Sequence, residues 1–217
     1  MPKRTSPVLT TKLIANNSAH ALGSRSARKS SETMITIDDN KTYIVELAEV
    51  LTANECLELI EKIEQLKPSL ATINTATGTK VNTDVRNNER VIFDDPELAE
   101  KLFIDAKDNL PQEFAGRTIC GANERFRCYR YKPGMRFAPH SDGSFIRNDQ
   151  EMSFYTYLVY LNDGFEGGET TFFTKPEVVV KPVAGDAVLF QHPLVHEGSV
   201  VTEGVKYVAR TDIMYRK

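Results

Sequence analysis

Cysteine is scarce in this sequence, long apolar runs are missing and there is no excess of basic charge; each shortage removes a class of protein. The three cysteines, Cys56, Cys120 and Cys128, are odd in number and unevenly spaced. They make no disulfide framework, so a reducing compartment, the cytoplasm, is the simpler expectation. No apolar stretch approaches the roughly 18 residues of a membrane-spanning helix, which predicts a soluble chain without a membrane partner. Net charge is −3, from 27 basic and 30 acidic residues, so the overall balance does not attract nucleic acid. Any partner has to be found through a particular site.

Acidic residues are absent from the first part of the chain. Met1 to Ser31 holds six Lys or Arg and no Asp or Glu, among many Ser, Thr and Asn. Such a segment cannot build a core. Residues 1–33 are expected to form a disordered basic tail, with an organelle-targeting transit peptide as the alternative. Residues 34–217 are expected to form the folded domain.

The domain divides into a helical part, about 50–110, and a strand-rich part, about 120–217. Thr42 to Leu47 alternates as a strand does. Thr52-Ala53-Asn54-Glu55 reads as a capping box, and the helix behind it carries Cys56, Leu57, Leu59, Ile60 and Ile63 on one broad face, stopping before Pro68. Asn74 to Asp84 reads as a loop. Asp95-Pro96 opens a second helix, Pro96 to Leu110, with Leu98, Leu102, Phe103 and Ala106 buried. From Glu124 the pattern shortens to strands: Glu124–Tyr131, a segment from Phe137, Ser153–Leu161, Thr170–Thr174, Ala187–Phe190 and Val205–Tyr215, separated by turns such as Tyr131-Lys132-Pro133-Gly134. Two helices followed by many short strands indicate an α+β fold built on a jelly-roll barrel, the double-stranded β-helix.

Within the barrel, His140-Ser141-Asp142 is a His-x-Asp pair whose side chains share one face if the segment is a strand. His196 joins them only through folding. Two imidazoles and one carboxylate leave three coordination positions open, the ligand set of non-haem Fe(II) oxygenases. His192 is the rival third ligand, and with His196 at i+4 it would suggest zinc on a helix. Pro193 and the β-prone run before it speak against a helix, leaving His192 supporting or structural. On the last strand, period two puts Lys206, Val208, Arg210 and Asp212 on one face. Arg210, if it faces inward, holds a co-substrate or substrate carboxylate or pairs with Asp212 or another acid. Arg86 and Asn88, in Val85-Arg86-Asn87-Asn88, read either as substrate contacts at the cleft mouth or as a solvated loop. Gly143 to Met152 reads as a polar lid beside the metal.

Taken in order, Tyr131-Lys132-Pro133-Gly134, His140-Ser141-Asp142, Tyr160-Leu161-Asn162-Asp163, Glu166-Gly167-Gly168-Glu169-Thr170, His196-Glu197-Gly198 and Gly204-Val205-Lys206 resemble the 2-oxoglutarate and Fe(II)-dependent oxygenases of the prolyl 4-hydroxylase type, over about residues 44–216. The resemblance implies that His140, Asp142 and His196 hold Fe(II) and that Lys206 anchors the far carboxylate of 2-oxoglutarate. It also implies that Tyr131 hydrogen-bonds the co-substrate, and it places Tyr160 either against the co-substrate carboxylate or in the packing. O2 is the co-reactant, ascorbate the reductant, and succinate and CO2 the co-products of C–H hydroxylation. Peptidyl proline is the substrate it implies first, with a free amino acid or other small metabolite as the alternative. No secretory signal, upstream peptide-binding helical domain or disulfide set accompanies the motifs, which makes collagen an unexpected substrate. From another class, a zinc-binding or catalytically inactive barrel would use the same residues as a binding module.

Overall fold

The computed structural model describes residues 11–13, 43–75 and 78–217. Alternation along its longest strands decides the architecture. In Glu151–Tyr160, residues Tyr155, Tyr157 and Val159 join one apolar cluster, whereas Leu158 and Tyr160 join a second. The same split separates Phe126 and Cys128 from Tyr129 and Tyr131 on Arg125–Tyr131, and Ala209 from Val208 on Lys206–Arg216. A sheet that buries both faces needs a layer on each side.

That sheet has ten antiparallel strands. Along its main path run Thr11–Leu13, Ile44–Leu47, Ala187–Gln191, Glu151–Tyr160, Lys206–Arg216, Arg125–Tyr131, Glu89–Asp94 and Ser69–Leu70, with Arg117–Ala122 on the far half of Lys206–Arg216. On one side lie the helices α1, Ala53–Gln65, and α2, Pro96–Ala106. Facing the other side is a four-stranded sheet in the order Phe137–His140, His196–Gly198, Thr170–Phe172 and Val178–Val180. Two helices bracing two facing sheets give the α+β double-stranded β-helix that the strand pattern predicts. Among the described residues, no helix is long and apolar enough to cross a membrane.

Local chemistry explains both helix starts. Thr52 Oγ1 accepts from the Glu55 N–H at 3.3 Å and Glu55 Oε2 accepts from the Thr52 N–H at 2.8 Å, which completes the capping box. At α2, Asp95 Oδ1 caps the Leu98 N–H at 3.1 Å with Pro96 following. In α1, Cys56, Leu59 and Ile63 are buried and Ile60 packs beside them, but Leu57 is 58% exposed. Positions 56, 59, 60 and 63 follow the i, i+3, i+4, i+7 stripe, and 57 falls off it. The second helix ends at Ala106, short of Leu110, in a 3-10 turn at Lys107–Asn109, and it buries Ala99 along with Leu102 and Ala106.

Two stretches expected to be irregular carry pairing. Ile73–Thr75 and Gly78–Lys80 form a small hairpin inside the expected loop. From the expected basic tail, Thr11–Leu13 pairs antiparallel with Val45–Leu47; the remainder of residues 1–33 lies outside the described residues.

Candidate metal centre

The two histidines of the triad meet because their strands are neighbours. His140 and His196 are register partners across the antiparallel pair Phe137–His140 and His196–Gly198, and their ring centroids stand 4.3 Å apart. Asp142 lies just past the end of the first strand rather than within it. Its N–H donates to the His192 carbonyl at 2.9 Å, which ties the backbone there to the segment that leads to His196. The carboxylate oxygens lie 3.8 Å from the Nε2 atoms of His140 and His196. One ligand atom from each residue falls within 4.8 Å of the others, close enough to share a single ion.

Backbone carbonyls set both tautomers. His140 Nδ1 is 2.8 Å from the Ala138 carbonyl and His196 Nδ1 is 2.9 Å from the Leu194 carbonyl. A carbonyl only accepts, so each Nδ1 carries the proton and each Nε2 offers a lone pair. Burial pushes the His140 pKa down to about 4, helped by the neighbouring His196, and burial lowers His196 too. Both rings are therefore neutral at pH 7, as metal ligands must be. Burial alone would favour the neutral acid at Asp142, but Arg210, His196 and the Thr156 hydroxyl outweigh it and hold the carboxyl well below its ordinary range. Two neutral imidazoles and one ionised carboxylate with open positions fit a divalent iron.

Behind Asp142 runs a chain of hydrogen bonds whose direction is determined. The Thr156 hydroxyl donates to Asp142 Oδ2 at 2.6 Å, so it can only accept from His192 Nδ1, 3.0 Å away. His192 is then protonated on Nδ1, and its Nε2 accepts the Ser153 hydroxyl at 2.8 Å. Ser153 Oγ in turn accepts the Phe145 N–H at 2.8 Å. Burial pushes the His192 pKa down to about 4, the nearby Asp212 opposing, which keeps the neutral form that this order needs. The rival ligand thus supports the third ligand and ties it to the expected lid segment.

Across the cavity from the triad stands Lys206. The cavity is lined by Tyr131, His140, Asp142, His196, Lys206 and Arg210 among others. Lys206 is 2% exposed, lies over the Tyr131 and Tyr160 rings at 5.3 and 5.5 Å, and donates to the Gly168 carbonyl. Gly168 has φ +70°, and a Cβ there would sit 3.0 Å from Phe165 and Val201 side-chain carbons and 3.2 Å from Lys206 Cδ, so glycine lets the lysine stem pack against the turn. Burial lowers the Lys206 pKa to about 7, with only Glu169 opposing. An ammonium with three donors and no ion-paired carboxylate among the described residues is a seat for an anion.

The other expected site residues divide. Arg210 faces the cavity, but its Nη1 is 3.2 Å from Asp142 Oδ1 and its Nη2 is 2.9 Å from Asp212 Oδ1. It braces the Asp142 carboxylate and leaves Lys206 as the inner-cavity cation without an ion-pair partner among the described residues. The Tyr160 hydroxyl donates to Thr170 Oγ1 at 2.8 Å, so Tyr160 packs instead of reaching into the cavity. Tyr131 lines the cavity with its phenol beside Asn88. Asn88 is fully buried and accepts from Arg86 Nε at 2.9 Å; it positions Arg86 rather than lining the cleft mouth. Arg86 lines the outer cleft, its guanidinium 4.0 Å from the Phe137 ring centre, and Phe137 stacks on His140 at 3.4 Å. Thr156, Thr170 and Ser153 escaped sequence reasoning. For Ser153 and Thr156 the available signal was a polar side chain within an otherwise apolar central strand.

Thr156→Val keeps the shape at that position, removes the donor to Asp142 and strands the His192 N–H. Affinity for Fe(II) or another divalent ion, measured by calorimetry, should fall roughly 10–100-fold; unchanged affinity would show that the hydrogen-bond chain does not orient the ligand.

Comparison with known proteins agrees with this geometry. The profile of the 2OG-Fe(II) oxygenase superfamily matches residues 126–211, the span that carries His140, Asp142, His196 and Lys206. Prolyl 4-hydroxylase 1 of Arabidopsis thaliana is 28% identical over 193 residues, 76% of this chain and 66% of that protein, so the match spans just under two thirds of its length. The viral collagen prolyl hydroxylase of Paramecium Bursaria Chlorella virus-1, solved in its 2OG complex, superposes with a TM-score of 0.57 at 25% identity, covering 79% of this chain and 96% of that one. A Pseudomonas putida prolyl-4-hydroxylase shares the fold, with a TM-score of 0.58 at 20% identity over 80% and 92% of the two chains. With its barrel, ligand triad and buried lysine, the chain is similar to the 2OG-Fe(II) oxygenase superfamily, whose profile it matches over residues 126–211.

Proposed function

We propose that the protein hydroxylates a C–H bond with O2, converting 2-oxoglutarate to succinate and CO2, and that its substrate is a prolyl residue in a peptide. The observation that carries this reading is a buried ammonium without a carboxylate partner, set in the same cavity as two neutral imidazoles and an ionised carboxylate. A 2-oxo dicarboxylate complements both ends, offering a chelating end to a metal and a free carboxylate to Lys206. Proteins of this family act on peptides or small molecules, and the similarity to a plant prolyl 4-hydroxylase and a viral collagen prolyl hydroxylase supports proline over the small metabolites.

His140, Asp142 and His196 would hold Fe(II), which with bound 2-oxoglutarate supplies the O2 activation that puts one oxygen atom into succinate and the other into the substrate. The chain supplies the rest. Nδ1–H bonds to backbone carbonyls fix the two imidazoles, Thr156 and Arg210 fix the carboxylate, and Lys206 sets the co-substrate's depth. Tyr131, whose phenol burial keeps protonated, can donate a hydrogen bond to it. The aromatic walls Phe172 and Phe190, packed near His196, exclude water from the reacting centre. Ascorbate would keep the iron reduced.

With Fe(II), 2-oxoglutarate and ascorbate, wild-type protein should form succinate and add one oxygen atom to proline-containing peptides. Asp142→Ala should abolish both. Lys206→Ala should raise the 2-oxoglutarate KM roughly 10–100-fold, the loss of a charge-assisted hydrogen bond. Oxygen on a free amino acid with peptides unmodified would move the substrate to the small-metabolite class. No succinate under any condition, with tight zinc binding, would leave a binding module.

Because the Lys206 pKa is depressed to about 7, half its charge is absent near neutrality until the co-substrate arrives. Binding should draw up a proton above pH 7, and affinity should fall as pH rises, by at most about tenfold per unit. Calorimetry at pH 8 in buffers of different ionisation enthalpy reads the proton directly; no uptake would mean that Lys206 is already charged.

A further inference from the structure

Outside the triad the cavity opens into a larger cleft, whose lining includes Arg86, Arg90, Arg127 and Arg210 as well as His140 and Asp142. Four guanidiniums are unusual beside so little acid. Asp212, 1% exposed, takes Arg127 at 3.0 Å and Arg210 at 2.9 Å. Asp142 takes Arg210 at 3.2 Å and is the metal's ligand. Arg86 and Arg90 have no ion-pair partner among the described residues.

Neither of these two is an ordinary solvated arginine. Arg86 is 5% exposed, and its Nη2 has no hydrogen-bond partner among the described residues. The Phe137 and Tyr129 rings, 4.0 and 5.0 Å from its guanidinium carbon, cover the faces of the guanidinium, and Nε donates to Asn88 Oδ1 at 2.9 Å, but neither contact serves the in-plane N–H groups of Nη2. Arg90 reaches from the Glu89–Asp94 strand, and its Nη2 donates to Thr72 Oγ1 at 3.1 Å. Burial lowers its pKa; the Tyr129 hydroxyl beside it opposes, and Arg86 and Arg127 lower it further, so these three cations are close enough to repel. Leaving buried N–H donors and like charges uncompensated is costly unless a ligand anion completes the set.

We propose that the substrate carries a carboxylate beside the C–H that is oxidised, and that Arg90 and Arg86 receive it, next to His140 at the mouth of the metal cavity. Planar guanidinium forks match a carboxylate in two-point contact. For a prolyl peptide the group is an acidic side chain flanking the proline; for a small substrate it is the molecule's own carboxylate. Lys206 is not available for this role, because it lies within the inner cavity and serves the co-substrate. The inference rests on the reading of this cavity as an oxygenase site, and it narrows the substrate class to anions.

The test uses the full chain loaded with Zn(II) and 2-oxoglutarate, so that binding is read without turnover. Three peptides identical but for Glu, Gln or Lys beside a single proline are titrated by calorimetry, with free proline as a fourth ligand. Glu should bind about tenfold or more tightly than Gln, and Lys more weakly than either. Arg90→Gln should collapse the Glu-to-Gln ratio towards one. The ratio is internally controlled, since a folding defect lowers both affinities together. Arg86→Lys, which keeps the charge of a buried site but loses the fork, should shrink the ratio partially. Tight binding of free proline that depends on Arg90 would support the carboxylate seat and assign it to a main-chain carboxylate. Equal binding of the Glu and Gln peptides, together with free proline that ignores Arg90, would overturn the proposal. Succinate assays on the same peptides separate the two levels. Turnover of Gln as fast as Glu, with free proline indifferent to Arg90, defeats the anion seat and leaves the oxygenase intact, whereas no turnover of any peptide with Glu-selective binding defeats the oxygenase reading alone.

Discussion

The structure depends on keeping one carboxylate charged inside a protein. Asp142 sits where burial favours its neutral acid, and the neutral acid would be a poor metal ligand. Thr156 Oγ1, Arg210 Nη1 and the His192 backbone carbonyl hold it from three directions, through one side-chain donor, one cation and one contact to its own N–H. Removing the cation would leave an unpaired buried charge, a loss of about 3–5 kcal/mol. Arg210 is itself charged inside the barrel, and although burial opposes, Asp142 and Asp212 keep it protonated. Each charge exists because of its neighbour, and two positions are left without a protein partner of opposite charge: the triad's lone pairs and the Lys206 ammonium.

This constraint also explains why two sheets are needed. His140 and His196 come from the four-stranded sheet, while Thr156, Lys206 and Arg210 come from the inner face of the ten-stranded one. The small sheet presents the ligands and the large sheet presents the groups that hold and complement them. The helices touch neither set. By packing Leu59, Ile63, Leu102 and Ala106 against the outer face of the large sheet, they make that sheet a rigid wall from which the lysine and arginine project inward.

Much of this could be read from the chain itself. Period two on Lys206–Arg216 placed Lys206, Val208 and Arg210 on one face, and the cavity confirms it. The capping box and Asp95-Pro96 marked both helix starts. What could not be read were contacts made by distant pairing. Nothing near Asp142 indicates that His192 and Thr156 hold it, because the link runs through a strand register and a hydroxyl proton. Arg210 carried equal arguments for binding a ligand or pairing with an acid until Asp142 was found within reach. Asn88 read as a substrate contact or a solvated loop residue beside Asn87; its burial follows from holding Arg86. Leu57 was drawn into the apolar face because hydrophobicity alone does not tell a stripe from its margin.

The most direct measurement is an anaerobic titration of 2-oxoglutarate into Fe(II)-loaded protein, followed by visible absorption. Chelation of Fe(II) by a 2-oxo acid gives a charge-transfer band, which should saturate near about one equivalent per chain and be lost in Asp142→Ala. A wild-type protein that shows no band, or an Asp142→Ala variant that keeps it, would contradict the assignment of the triad and its co-substrate.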